Sequence, residues 1–531
     1  MESTPGRPDR RPVRITRSLR ARYARAVRGI IGQWVFRTDA AGAGSAEGTL
    51  VERILAARGI RGQAESLAFL DPRLVHLHDP SLMPDMDRAA ERILASLRRG
   101  GPVVIYGDYD VDGITATTIL FHTMRTIAPG ADVRTYVPHR LEEGYGLNAA
   151  AIDELASQGA DLIVSVDCGI TARGPADVAA QRGLDLIITD HHNPPASDED
   201  LPRAYAIVHP RRPGSQYPFG DLSGAGVAYK LAWRLATMHC GSQRVTPDLR
   251  TLLVELLPFA ALGTIADVVP LLGENRVFAR YGLERMRCSP FVGLRALVEA
   301  AGLAESDLGE MDVGFRLGPR LNAAGRMGHA KDAVELFTVA DEARAREIAQ
   351  HLTRQNDARR AVENEIFRQA VELAEASGMT GPDKRAIVLV HEGWHAGVVG
   401  IVCSRLVERY SRPVILMQCR QSESGVICAG SGRSVPGFNL HAGLQACEDL
   451  LEKYGGHDMA AGLHLRMDNM AAFTERFIAY ANERIAPEDL VPRVEVDVRA
   501  SLDELTPETV GQIERLAPFG RDNPPVRLLV P

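Results

Sequence analysis

Five short runs dominated by Val, Ile and Leu recur between residues 100 and 210, at 103–106, 133–137, 162–166, 186–189 and 206–208. Amphipathic stretches such as 149–158 and 175–182 separate them. Strand-length apolar runs alternating with helix-length segments predict βαβ units and a buried parallel sheet. Parallel strands all end on one edge, and open sheets of this kind bind ligands beyond that edge. Three of the runs end in polar clusters. Run 103–106 leads into Tyr-Gly-Asp-Tyr-Asp-Val-Asp-Gly, which carries Asp108, Asp110 and Asp112. Run 162–166 leads into Asp167-Cys168-Gly169, and run 186–189 into Asp190-His191-His192. The predicted topology therefore gathers groups that are far apart in the chain.

Carboxylates gathered this closely repel one another unless something neutralises them. Divalent cations are the simplest answer. A fourth acid, Asp267, sits inside the apolar wording Gly-Thr-Ile-Ala-Asp-Val-Val-Pro, where an unpaired charge is costly. Several carboxylates with one or two imidazoles suit two hard-to-borderline ions, and the imidazole tilts the choice from magnesium toward manganese. Such a pair can activate a water and stabilise a leaving oxygen, which is phosphoester hydrolysis. Each element also has an ordinary reading. An Asp after a strand is commonly a helix N-cap, His-His pairs arise by chance, and Gly107 and Gly113 lack a dinucleotide-binding pattern. The coincidence of four segments favours the metal site.

With 531 residues the chain exceeds one core, and 45% hydrophobic with 24% charged residues is a globular composition. Five segments are predicted: a basic extension 1–32, a catalytic domain 33–315, a connecting segment 316–380, a second domain 381–491 and a final piece 492–531. The extension has nine arginines and two acids. It reads as a disordered tail, an auxiliary DNA-contacting arm or a transit peptide, and Ile15, Leu19, Tyr23 and Val27 at i, i+4 spacing suit a basic amphipathic helix. Residues 50–99 and 223–310 read as helical, and 341–377, free of Gly and Pro, as one long helix. Beyond it, strands at 386–390 and 414–417 and a helix at 397–409 begin a second α/β domain. A strand at 494–498 and a helix at 507–516 follow. No apolar stretch reads as membrane-spanning. Seven scattered cysteines without Cys-x-x-Cys spacing argue for a reducing compartment and against zinc or a disulfide framework. The net charge of −7 means that any nucleic-acid site is a local basic patch. One candidate is 314–326, where Arg316, Arg320, Asn322 and Arg326 stand among glycines and suit phosphate gripping. The competing reading is a solvated surface turn.

Taken together, Asp-Tyr-Asp-Val-Asp-Gly, Val-Asp-Cys-Gly-Ile, Asp-His-His and Ala-Asp-Val-Val-Pro-Leu resemble the four motifs of the DHH phosphoesterases. The resemblance runs from about Trp34 to the last residue. It implies a two-ion manganese or magnesium site held by Asp110, Asp112, Asp167, His191 and Asp267, with Asp167 bridging. It implies that His192 contacts the scissile phosphate or assists protonation and that Asp190 orients the histidines. Asp108 is either a ligand or an outer-shell group. Ser431, Arg433 and Ser434, with Gly455, Gly456 and His457, resemble the nucleic-acid-binding motifs of the DHH-associated domain. The implied fold is α/β: a DHH parallel-sheet domain, a long connecting helix, a second α/β DHH-associated domain and an incomplete OB-like C-terminus, as if the chain were shortened or a fragment.

The wording at 105–117, 318–328 and 455–462 is similar to the family's single-strand-specific exonucleases. It implies 5′-to-3′ degradation of single-stranded DNA to 5′ mononucleotides in recombination and repair. A single-strand-binding protein and a RecQ-type helicase are the implied partners, and the location is cytoplasmic and nucleoid-associated. Two alternatives remain: another DHH phosphodiesterase acting on oligoribonucleotides or cyclic dinucleotides, and a non-catalytic DNA-binding scaffold.

Overall fold

The computed structural model describes residues 26–28 by backbone, and 32–37, 48–140, 142–422 and 425–530 in full. The choice among the three readings of the basic extension lies almost entirely outside the described residues. Its end, Ala26–Arg28, is a strand, so a helix does not run through Val27. The chain divides into two units, 62–361 with 514–525, and 1–61 with 362–513 and 526–531.

The first unit is built on a five-stranded, all-parallel sheet. Its strands are β1 (Val103–Tyr106), β2 (Val133–Tyr136), β3 (Leu162–Val166), β4 (Asp185–Thr189) and β5 (Ala206–Val208), in the order β2-β1-β3-β4-β5. All five predicted runs are strands. The residues of β1, β3 and β5 are buried on both faces, as helices covering both sides require. Helix α1 (Val111–Ile127) leaves β1 at once because the Asp110 side chain caps it, accepting the N–H groups of Asp112 (2.9 Å) and Gly113 (3.2 Å). Helix α2 (Gly224–Cys240) is capped by Ser223 and stops at Gly241, whose φ of 61° ends it. Helices α3 (Leu257–Ala266) and α4 (Gly273–Met286) complete a core that joins Ile114, Val164, Leu231, Phe259 and Phe278.

The run Pro247–Ala266 is long and apolar enough to cross a membrane, which corrects the expectation that no stretch is. Most of that run is buried, because its apolar side chains build this core. The segment 314–326, read as a phosphate grip or a surface turn, is also regular. A π-helical turn, Val313–Leu317, runs into α5 (Gly318–Met327), with a proline in its first turn where the missing N–H costs nothing. Helix α6 (Glu342–Ala376) has 35 residues, matching the predicted long helix.

The second unit carries a five-stranded mixed sheet. Strand β6 (Ile387–Val390), helix α7 (Ala396–Tyr410), β7 (Val414–Ser422), β8 (Gly425–Arg433), β9 (Lys453–Gly456) and β10 (Ala460–Arg466) follow in order. The sheet order is β9-β10-β8-β7-β6, parallel only between β6 and β7. Cys419 and Cys428 stand directly opposite across β7 and β8 with Cα atoms 4.1 Å apart, and are joined by a disulfide. This bridge departs from the disulfide-free reading. The scattered spacing hid it because hairpin pairing, not sequence proximity, brings the two thiols together. Gln33–Phe36 pairs in parallel with Arg493–Val496, and Val498–Arg499 with Leu528–Leu529. No five-stranded barrel forms among the described residues.

Candidate metal centre

The carboxyl edge of the parallel sheet gathers the predicted donors. The His191 Nε2 atom lies 3.1 Å from Asp167 Oδ1, 3.6 Å from Asp267 Oδ2 and 3.7 Å from Asp112 Oδ2. Three overlapping groups have donor atoms within 4.8 Å of one another: Asp108, Asp110 and Asp167; Asp112, His191 and Asp267; and Asp167, His191 and His192. Asp167 recurs in two of them. Asp190 belongs to none of these groups. Its Oδ1 accepts the backbone N–H of His191 (2.7 Å) and of His192 (3.1 Å) and meets His192 Nδ1 at 2.8 Å, while Oδ2 accepts Ile170 N–H at 2.9 Å. It orients both histidines, through the main chain for His191 and through the ring for His192.

The electrostatics are those of crowded, buried carboxylates. Burial, and then the Asp110 carboxylate, pushes Asp112 up to about 7. Burial followed by neighbouring carboxylates pushes Asp108, Asp167 and Asp267 well above the ordinary range. Burial holds His191 down to about 3, which keeps its ring neutral and able to donate a lone pair. Burial alone would also lower His192, but the hydrogen bond and charge of Asp190 outweigh it and raise His192 to about 9. The Asp108 Oδ1, Asp167 Oδ1 and His191 Nε2 atoms are buried without a hydrogen-bond partner. Buried polar atoms are rarely left so. Three of them converging on one spot, in an oxygen-rich set with one imidazole, fit a pair of divalent cations.

Several supporting residues carried no sequence signal. Asp112 accepts the N–H groups of Gly224 (2.6 Å) and Ala225 (2.8 Å), so its carboxylate sits on the N-terminus of α2. A Cβ on Gly224 would lie 2.6 Å from Asp167 Cβ, and one on Gly263 would lie 2.4 Å from Asp112 Oδ1. The Tyr145 hydroxyl donates to the Asp167 carbonyl at 3.3 Å and lies 3.1 Å from His192 Nδ1. His209 Nε2 donates to the His192 carbonyl (2.7 Å), and the Arg211 guanidinium donates to the His191 carbonyl (2.6 Å).

Comparison with known proteins decides the family. Residues 102–263 match the DHH family, N-terminal domain, and residues 383–483 match the DHHA1 domain. The single-stranded-DNA-specific exonuclease RecJ of Bacillus subtilis is 40% identical over 481 residues, which is 91% of this chain and 58% of that protein. RecJ of Dickeya dadantii is 37% identical over 487 residues, 90% of this chain and 82% of that protein. The chain belongs to the RecJ family. The crystal structure of RecJ from Thermus thermophilus with Mn2+ superposes with a TM-score of 0.74 at 33% identity, covering 91% of this chain and 68% of that one. The same RecJ has been solved with Mg2+.

Against this RecJ-family frame, the predicted nucleic-acid residues separate into two groups. Arg316 donates to the Ala301 carbonyl (2.6 Å), at the end of the helix Val292–Ala300, and pairs with Asp312 (3.3 Å) one turn earlier. Asn322 accepts the Val111 N–H (3.1 Å), completing the α1 N-terminus. Ser434 is buried and donates to the Phe438 carbonyl (2.8 Å). In all three, neighbouring groups of the protein take part of the side chain's hydrogen-bonding capacity. Arg320 is half-buried, donating to the Arg316 carbonyl (2.6 Å) and Thr353 Oγ1 (3.2 Å). The charge of Arg326 acts on Tyr109, next to Asp108 and Asp110.

In the DHHA1 domain, the register aligns Ser431 of β8 with Gly462 of β10 and Gly455 of β9, and Arg433 with Ala460. Gly456 is on the next row, with φ 139°, and the exposed His457 opens the following turn. Residues from three separate strands thus form one small-residue row beside the first turns of α7, where a Cβ on Gly400 would lie 3.4 Å from the Ser431 side chain.

Proposed function

We propose that this RecJ-family chain is a metal-dependent 5′-to-3′ exonuclease that degrades single-stranded DNA to 5′ mononucleotides in recombination and repair. The observation that carries the reading is the convergence of donors from four segments, with three buried donor atoms left unpartnered. Asp110, Asp112, Asp167, His191 and Asp267 would hold two ions, with Asp167 shared and Asp108 either a sixth donor or a neighbour. When bound, such a pair supplies an activated water and neutralises charge on the phosphoryl and leaving oxygens.

The residues around the site do the rest. Asp190 fixes the direction of His192 and raises its proton affinity, so that this ring would offer an N–H donor to a phosphate oxygen. Arg320, Arg326, Ser431, Arg433, Gly455, Gly456 and His457 would contact the strand backbone, guanidinium groups and open peptide N–H groups being phosphate ligands. The same reading implies a cytoplasmic, nucleoid-associated enzyme that works with a single-strand-binding protein and a RecQ-type helicase.

The test is digestion of single strands blocked at the 5′ or the 3′ end, with Mn2+ and with Mg2+. Resistance of the 5′-blocked strand alone is expected. Cleavage of both strands alike, or a preference for short oligoribonucleotides or cyclic dinucleotides, would overturn the proposal.

A further inference from the structure

The loop that presents Asp267 is held by a segment that lies 253 positions away in the chain. Asp267 ends α3, and the next residue, Val268, has φ +58°. A β-branched side chain in the left-handed region is strained, and such strain persists only where the surroundings over-determine it. Part of what surrounds it is the segment 514–525, which belongs to the catalytic unit although residues on both sides of it belong to the other. The Leu271 N–H donates to the Arg521 carbonyl (3.0 Å), and the Arg521 guanidinium reaches the Val268 carbonyl (3.5 Å). The fit is close, since a Cβ on Gly520 would lie 2.7 Å from Leu271 Cδ1.

The segment is itself locked. Gly520 and Asn523 form a two-residue bridge, and the buried Asn523 amide donates to the carbonyls of Leu516 (2.9 Å) and Pro518 (2.9 Å). Arg276, 1% exposed, follows the Asp267 loop on α4. Its guanidinium donates to the carbonyls of Ala517 (2.7 Å), Arg515 (3.1 Å) and Pro518 (3.2 Å) and to that of Phe69 (2.7 Å). Burying a guanidinium is costly unless its donors are satisfied, and here a remote stretch of backbone satisfies them. Its neighbour Asn275 donates to the Pro270 carbonyl (3.0 Å), so the loop is gripped from both sides.

We propose that the turn 520–523, anchored by Arg276, is a positioning device for Asp267, with Arg521 and Asn523 as positioning residues that keep its carboxylate on the ion it shares with Asp112 and His191. The inference rests on the two-ion reading of the site. A purely structural turn would affect stability alone. A positioning turn affects one ion and spares the other, because Asp108, Asp110 and Asp167 do not depend on this loop.

The experiment titrates Mn2+ into the full chain and into Arg521→Ala, Asn523→Ala and Arg521→Lys, by calorimetry and by electron paramagnetic resonance. In the alanine variants, one ion is expected to bind about 10–100-fold more weakly, the range for lost outer-shell support of a metal ligand. The other ion keeps its affinity, and the spin-coupled pair signal is lost at Mn2+ levels that saturate the parent chain. Arg521→Lys, which keeps a donor, recovers most of the pair. Ser96→Ala removes a buried hydroxyl elsewhere in the unit and leaves both ions in place. Wild-type affinity for both ions in both alanine variants, or equal weakening of both ions, would overturn the proposal. A parent chain that binds no ion pair would instead overturn the site reading beneath it.

Discussion

Asp167 concentrates the argument at the scale of single residues. It has φ +61°, and Asp is among the few side chains that tolerate that region. The kink turns its carboxylate into the donor cluster at the end of β3. Asp167→Ala should therefore lose metal and reduce hydrolysis of single-stranded DNA to background while leaving the circular dichroism spectrum unchanged. Retained activity with added Mn2+ would refute the assignment. Asp190→Asn acts one step further out and should cost about 10–100-fold. The raised carboxyls also set the pH behaviour of the metal-free protein. Asp112 titrates near 3.8 when unfolded and about 7 when folded. The folded state therefore holds the proton more tightly, and the stability this contributes is complete below pH 3.8 and lost as pH rises through about 7. Calorimetry on chelator-treated protein should show the melting temperature falling by several degrees from about pH 5 to about pH 8. Saturating Mn2+ should reverse that slope, because the ions bind the deprotonated cluster.

At the scale of elements, the site depends on how closely helices approach strand ends. The glycines Gly224 and Gly263 let α2 and α3 come within contact of Asp167 and Asp112. Gly224→Ala and Gly263→Ala should raise helix propensity by about 1 kcal/mol each. Both should nonetheless impair activity at least tenfold by displacing a ligand, measurable as weaker Mn2+ binding in a chain that still melts cooperatively. These glycines cannot be recognised in the sequence, because nothing local marks a residue as facing an acid that stands more than fifty positions earlier. The five parallel strands and α6 were legible, since buried Val/Ile runs and a Gly- and Pro-free stretch are local signals. The four donor segments were legible because parallel topology alone brings strand ends together. Strands β8, β9 and β10 are not legible, as Gly-Val-Ile-Cys-Ala-Gly-Ser-Gly-Arg, Lys-Tyr-Gly-Gly and Ala-Ala-Gly-Leu-His-Leu-Arg lack the β-branched alternation that reveals a strand. Helix α5 is not legible because glycine and proline mark turns locally, whereas here packing of Leu321 and Ala324 into the core fixes a helix.

The molecule as a whole carries a net charge of −7, and this sets a problem for any strand of phosphates it binds. Long-range attraction is absent, so affinity has to come from a few cations close to the backbone. Arg433 is the sharpest case. It shares a sheet face with Ser431 and the Gly462–Gly455 row, and its guanidinium donates to the Gly432 carbonyl at 2.8 Å, which holds the charge beside that row. If it meets a phosphate, Arg433→Ala should weaken binding of a fluorescent single strand severalfold, equally for all sequences. The slope of log affinity against log salt should become shallower by about 1, the signature of one lost phosphate contact. Turnover at saturating DNA should change little, because the candidate ion donors belong to the other unit. An unchanged salt slope would assign Arg433 to the fold of the DHHA1 domain. A fall in saturated turnover with unchanged affinity would place its effect on the chemical step, which this arrangement of donors does not predict.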